Sequence, residues 1–159
     1  MKTVETLIDE DLIATLAAVS TAAGYANNFV IDEPDPARGN PERDALCVLG
    51  DGDPEPHEDC PITQDRYLKT YSLVFEVIES EASDDALRQR MAEVYADVVR
   101  ALTSTRNRYT RNGQALWTEV GKPTKELDAG ANSGKITIPV SVLFATAQGE
   151  PFVNPYTTA

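Results

Sequence analysis

The sequence predicts an α+β domain in which a mixed or antiparallel sheet packs against two amphipathic helices, in the order helix, strands, helix, strands. Three observations predict it. Apolar residues recur at three- and four-residue steps near the N-terminus and again over 84–102, the period of a helix buried along one stripe. Between and after these stretches they alternate at period two, as in strands with one buried face. At 159 residues and 42% apolar content, the chain suffices for one domain, 1–159, with a core that needs neither disulfide nor metal.

The first helix carries Val4, Ile8, Leu12, Leu16, Val19 and Ala23 as one stripe, widened by Leu7. Glu5, Asp9, Glu10 and Asp11 crowd its N-terminal half, where the helix dipole favours negative charge. Gly24 stands where a left-handed cap ends a helix. Asn27-Asn28 turns into a short strand, Phe29-Val30-Ile31. Over 32–61 the texture changes: six of the ten prolines fall here, with Gly39, Gly50 and Gly52. Only Ala45 to Leu49 reads as a strand, and the remainder reads as excursions projecting from the sheet.

Tyr67, Tyr71, Leu73, Phe75 and Val77 then share one face of a long strand, with Thr70, Ser72 and Glu76 on the other. Ser83 is a suitable N-cap, followed by Asp84 and Asp85 in the first turn. Leu87, Met91, Val94, Tyr95, Val98 and Leu102 form the stripe of the second helix. Thr103 to Arg111 is polar and basic, Leu116 to Val120 reads as a strand, and 130–134 as a turn. Ile136, Ile138, Val140, Val142 and Phe144 alternate along the last major strand, where Pro139 argues for an edge position or a bulge. The stretch 151–159, with Phe152 and Tyr156, packs on its own domain or forms a short arm onto a partner; Pro151 and Pro155 discourage further pairing in a sheet and favour the arm.

The net charge of −12 is unevenly placed. Residues 1–65 hold 15 Asp/Glu against three Lys/Arg, whereas 66–159 hold 11 of each. Between Asp32 and Asp59 ten acids face two arginines. Such a surface repels phosphate, which disfavours tight nucleic-acid binding but suits a basic partner or a passage that DNA crosses without adhering. The candidate contact residues are therefore the acids Asp51, Asp53, Glu55, Glu58 and Asp59, expected to face solvent in the isolated subunit. Neutralising all five is expected to leave stability nearly unchanged. The basic cluster Arg106, Arg108 and Arg111, interleaved with Tyr109, has two readings. It pairs with the acidic stretch of a neighbouring copy, or it is a solvated loop complementing the second helix's C-terminal dipole.

Chemistry finds no cast. Cys47, His57 and Cys60 fall short of the four Cys/His ligands of a structural zinc site. An EF-hand aligned from Asp51 would need glycine and glutamate where Pro56 and Ile62 stand. His57 is the one imidazole, with neither a nucleophile elbow nor a glycine-rich phosphate loop in the chain. No enzyme activity, metal or cofactor is expected. Asp9-Glu10-Asp11 stands where a signal peptide needs its apolar stretch, and no run reaches the ~18–20 apolar residues of a membrane span. A cytoplasmic chain with reduced thiols and no membrane contact is the expectation.

The order of elements, with several local stretches, resembles the tail terminator and tail-completion proteins of long-tailed bacteriophages. The stretches are Leu16 to Tyr25, closing on Ala-Gly-Tyr; Ala96-Asp97-Val98-Val99-Arg100-Ala101-Leu102; and Ile138 to Thr146 followed by Gly149-Glu150-Pro151-Phe152. Together they touch most of the chain. The resemblance implies a virion structural protein, assembled in the host cytoplasm, whose hexameric ring caps the finished tail tube and docks it to the head. Its partners would be itself, the tail tube protein and a head-completion or connector protein, with DNA as a passenger that does not stick. The acidic excursion at 32–61 and the long segment at 103–134 depart from the compact pattern. The alternatives are another neck or head-completion protein, or a non-viral cytoplasmic adaptor or small enzyme.

Overall fold

The computed structural model describes residues 1–31, 44–78, 83–128 and 132–157. The first part of the acidic excursion, 32–43, and the start of the 130–134 turn lie outside the described residues. The fold is α+β, with a mixed sheet and both long helices against one of its faces.

Helix α1 spans Val4–Ala17, capped by the Thr3 side chain, which accepts from Thr6 N–H. It ends earlier than its stripe suggests, and a 3-10 turn at Thr21–Ala23 follows. Gly24 takes the left-handed conformation expected of it, at φ 88°, but closes this turn and not the helix. Ala23 is consequently exposed, while Val4, Ile8, Leu12, Leu16 and Val19 are buried. Helix α2, Asp84–Thr103, begins at Ser83, whose hydroxyl accepts from Ala86 N–H, and buries Leu87, Met91, Val94, Val98 and Leu102.

The sheet is built around two antiparallel strands of 15 residues, β4 at Gln64–Ile78 and β7 at Ser133–Ala147, paired along their whole length. Strand β1 (Asn28–Ile31) lies parallel to β2 (Asp44–Asp51), and β2 is antiparallel to β4, giving the order β1-β2-β4-β7-β5. Two short strands complete it: β3 (Glu55–Pro56) on β4, and β6 (Thr124–Asp128) on β7 beyond β5 (Trp117–Val120). The inner face presents Phe29, Cys47, Leu73, Phe75, Ile138, Val140 and Phe144 to the helices.

Two strand expectations are corrected. Pro139 sits in β7, a central strand, without breaking it. Its carbonyl accepts from Gly121 N–H, so its nitrogen side faces the gap between the end of β5 and the start of β6. The absent N–H therefore removes no bond to β4. Secondly, the described acidic residues do not simply project from the sheet. β2 and β3 form one interrupted edge along β4, since Asp51 pairs with Tyr71 and Glu55 with Leu68. Gly52, Asp53 and Pro54 stand opposite Thr70 and Lys69, an extra residue that makes a bulge. Glycine is required at 52, where a Cβ would lie 2.6 Å from the Thr70 carbonyl oxygen.

Candidate functional site

The bulge lies beside a buried lysine. Lys69 occupies an odd position of β4, between Tyr67 and Tyr71, so the strand's alternation turns it to the inner face, where it is 1% exposed. Its ammonium meets Glu5 Oε1 at 2.7 Å, Asp9 Oδ1 at 3.0 Å and Asp51 Oδ1 at 2.7 Å, and lies 4.9 Å from the Tyr71 ring centroid. Tyr71 Oη donates to the same Asp9 carboxylate. Glu5 and Asp9 are one helical turn apart on α1, which lets a single helix deliver both. Burial alone lowers the ammonium's pKa; hydrogen bonds to Asp51, Glu5 and Asp9 outweigh it and hold the group above its ordinary value. Burial first, then the bond to Asp9, pushes the Tyr71 phenol up. Three carboxylates against one ammonium leave the cluster net negative.

A groove of about 600 Å³ opens beside this cluster, lined by Asp9, Ile13, Ala17, Ile31, Leu49, Asp51 and Tyr71. Asp9, Ile13 and Ala17 follow at four-residue steps and so line one flank of α1. Ile31 and Leu49 come from β1 and β2, at one edge of the sheet. The groove has apolar walls and an acidic rim.

The basic cluster lies at the opposite edge. Arg106–Tyr109 forms a short helix, α3, tied to β5 by Thr118 Oγ1 donating to the Tyr109 carbonyl at 2.7 Å. Only Arg106 of the three arginines is exposed. Arg108 is half-buried and donates to Tyr25 Oη at 2.7 Å and to the Ala101 carbonyl. Arg111, expected at a partner surface or in a solvated loop, is buried within the subunit: it is 0% exposed, donates to the Leu102 carbonyl, and lies 3.3 Å from Asp11 Oδ2. Left-handed backbone at Arg111, Asn112 and Gly113, with φ of 49°, 55° and 80°, folds it beneath the domain. Burial lowers its pKa to about 10 against the opposing pull of Asp11, and burial likewise raises Asp11. Among the described residues, neither Nε nor Nη1 of Arg111 has a hydrogen-bond acceptor, Nη1 making only the ion pair to Asp11. The acids of α1 thus serve as specific partners beyond any dipole effect, with Glu10 taking Lys2 at 2.6 Å.

Between these edges the chain is clasped by α2. Asp97, 5% exposed, accepts from Ala26 N–H at 3.2 Å and from Asn27 N–H and Nδ2 at 2.9 and 2.8 Å. Arg100 donates to the Gly24 carbonyl at 2.7 Å and stacks over the Tyr25 ring at 4.6 Å. Two of the stretches that carry the sequence resemblance, Ala23-Gly24-Tyr25 and Asp97 to Arg100, therefore meet in one contact.

Among the acidic candidates, Asp53, Glu55, Glu58 and Asp59 are exposed. Asp51 departs from them: although 61% exposed, it is a partner of buried Lys69. Neutralising all five would consequently not be silent. The D53N/E55Q/E58Q/D59N variant is expected to melt within about a degree of the wild type, because exposed charges away from specific contacts contribute little. Adding D51N should cost about 1 kcal/mol, a few degrees in Tm, as Lys69 loses one charged hydrogen bond at a solvent-screened site. Equal melting of the four- and five-fold variants would remove Asp51 from the cluster.

The C-terminal residues fold back on the domain where an arm was expected. Gly149 turns the chain at φ 71°, and the Pro151 carbonyl then accepts from Val4 N–H, one of the free amides at the start of α1. Ala147 N–H donates to the Val153 carbonyl at 2.8 Å, and Tyr156 Oη donates to Gln64 Oε1 at 2.8 Å. Phe152 and Tyr156 keep 44% and 51% exposure on this anchored turn. Neither cysteine is in a disulfide; Cys47 is buried and Cys60 exposed. His57 is half-buried, its amide donating to the Arg66 carbonyl at 2.8 Å. Among the described residues no group of three or more His, Cys, Asp or Glu is arranged to hold a metal, and no helix is long and apolar enough to cross a membrane.

Lys69, Asp97 and the burial of Arg111 escaped the sequence reading. A signal existed for the first: a residue between Tyr67 and Tyr71 at period two belongs to the buried face. For Asp97 the signal was its place three residues after Val94 and four before Ala101, both buried. Arg111 offered none.

No family model matches the chain, and no curated protein matches it. Among solved structures, it is similar to a chain of "Virion of native gene transfer agent (GTA) particle", with a TM-score of 0.49 and 13% identity over 84% of this chain and 91% of that one.

Proposed function

We propose that this chain is a virion structural protein that forms a closed ring at the head–tail junction, ending the tail tube and joining it to the head. The observation that carries self-assembly is the polarity of the subunit. An acidic, apolar-walled groove stands at the β1–β2 edge, and a basic helix with an exposed aromatic stands at the β5 edge. Unlike surfaces on opposite sides of one subunit favour head-to-tail contacts, which close into a ring when the rotation allows. The stretches resembling tail terminators are what support that position for the ring and a count of six copies. The exposed acids Asp53, Glu55, Glu58 and Asp59 add a surface to which phosphate does not adhere, suiting DNA that passes through.

Particles purified from cells that make this protein should contain it, and electron microscopy of particles lacking it should show tails of unregulated length that fail to join heads. Absence from purified particles would defeat the virion reading and favour the cytoplasmic adaptor or small enzyme. Presence with normal tails and unfilled or open heads would favour a head-completion role.

A further inference from the structure

We infer that the groove between α1 and the β1–β2 edge is the socket for α3 of a second copy, with Tyr109 entering the apolar part and Arg106 meeting the Asp9 and Asp51 carboxylates. This rests on the self-assembly proposed above and names the surfaces that perform it.

Among the described residues, the charge at the socket is not balanced. Lys69 is shared by Glu5, Asp9 and Asp51, reaching both oxygens of Asp9 at 3.0 and 3.3 Å but one oxygen each of Glu5 and Asp51, so one positive charge stands against three negative ones. A second cation at the rim would be drawn there, and a guanidinium fits carboxylates with paired donors. The walls beneath the rim are apolar. Ile13 keeps 41% exposure on α1, Ala17 is exposed, and Ile31 and Leu49 are half-buried. About 600 Å³ lies within the roughly 300–1,000 Å³ range of clefts that seat a bulky ligand.

The plug has the complementary pair of features on four residues. Arg106 is exposed, and Tyr109, one helical turn on, is 39% exposed although it is a large aromatic. Tyrosine and arginine are the residues that most often anchor protein interfaces. Arg108 and Arg111 are engaged within the subunit, which holds the plug in shape and leaves Arg106 for the partner.

The two surfaces are also placed for a head-to-tail contact. The groove takes Ile31, Leu49 and Asp51 from β1 and β2, whereas α3 is bonded to β5, the far end of the same sheet. On α1 the arrangement repeats. Asp9, Ile13 and Ala17 line the groove, while Asp11, some 200° around the helix from Asp9, faces the Arg111 turn. Plug and socket on one copy therefore cannot meet each other, and each needs a neighbour.

The test uses full-length chains in which Cys60 is changed to serine, leaving buried Cys47 as the remaining native thiol. One chain carries Ala17→Cys and another Asn107→Cys, both at exposed positions and the second leaving Arg106 and Tyr109 intact, and a short bismaleimide links thiols. The mixture should cross-link at least tenfold more than either chain alone, and one chain with both changes should give a ladder that ends at the closed ring. Adding Arg106→Glu to the Asn107→Cys chain should remove that excess. Equal cross-linking in the mixture and in the separate chains overturns the socket assignment. If the unaltered protein still forms rings in that case, self-assembly stands on other surfaces. If the cross-link forms but purified particles contain no protein, the docking stands and the virion reading fails.

Discussion

Replacing Lys69 with methionine should destabilise the domain by about 3 kcal/mol, measured as a lower denaturant midpoint with an unchanged slope. Methionine keeps most of the buried stem, so the cost comes from Glu5, Asp9 and Asp51, which lose their common counter-ion and crowd one another. Breaking a fully buried ion pair costs roughly 3–5 kcal/mol. The lower end applies because Glu5, Asp9 and Asp51 keep 36%, 28% and 61% side-chain exposure and so retain part of their hydration. Alkaline pH offers a second readout. Lys69 and Tyr71 both hold their protons more tightly in the folded state than in the unfolded chain. Above about pH 10 the unfolded chain releases these protons first. The folded state then binds more protons, and stability falls as pH rises. That contribution is complete below the unfolded pKa and lost through the folded one. Lys69→Met removes the lysine part, so its stability should decline less steeply between pH 9 and 11. A wild type whose stability is flat over that range would show that the cluster does not retain its protons as described.

Asp97→Ala should be at least as costly, at about 3–5 kcal/mol. Its carboxylate accepts three hydrogen bonds from Ala26 and Asn27, in a place where the Asn27 side chain is 0% exposed. Hydrogen bonds to a charged acceptor contribute roughly 1.5–3 kcal/mol each, and donors left buried without an acceptor cost about 1–3 kcal/mol. Alanine strands several such donors at once and frees the loop that leads into β1. Asp97→Asn keeps the volume but turns an amide toward donors, so it should fall between alanine and the wild type. Amide exchange at Asn27 and Phe29 should quicken in both variants. Unchanged denaturation of Asp97→Ala would mean that this loop is held by Arg100 on Tyr25 instead.

Much of the fold was legible because helices and strands are written in local periods. The four-residue recurrence of Val4, Ile8, Leu12 and Leu16 marked α1, and the two-residue alternation of Leu73, Phe75 and Val77 marked β4. Ends were less legible. The apolar period continues through Val19 to Ala23, yet α1 stops at Ala17, because a stripe records which side is buried and not where hydrogen bonding ceases. Strand β6 was missed: four of its five residues, including Thr124, Lys125 and Glu126, are exposed, so no buried face imposed a pattern.

The candidate site was legible as charge and illegible as geometry. The sequence established that acids dominate the first part of the chain and that a basic group with an aromatic follows the second helix. It did not separate Asp51 from Asp53, or Arg106 from Arg111. Asp51's role depends on Lys69, which also binds Glu5 64 residues away, and Arg111's on the left-handed turn that buries it against Asp11. By itself the sequence determined the fold class, the two helices, most of the strands and the imbalance of charge. The tertiary structure decided which charges are partners, which are buried, and that acidic and basic surfaces stand at opposite edges of one sheet. The physical reason is range: side-chain burial follows a period of two or about four residues along the chain, whereas an ion pair depends on where distant segments come together.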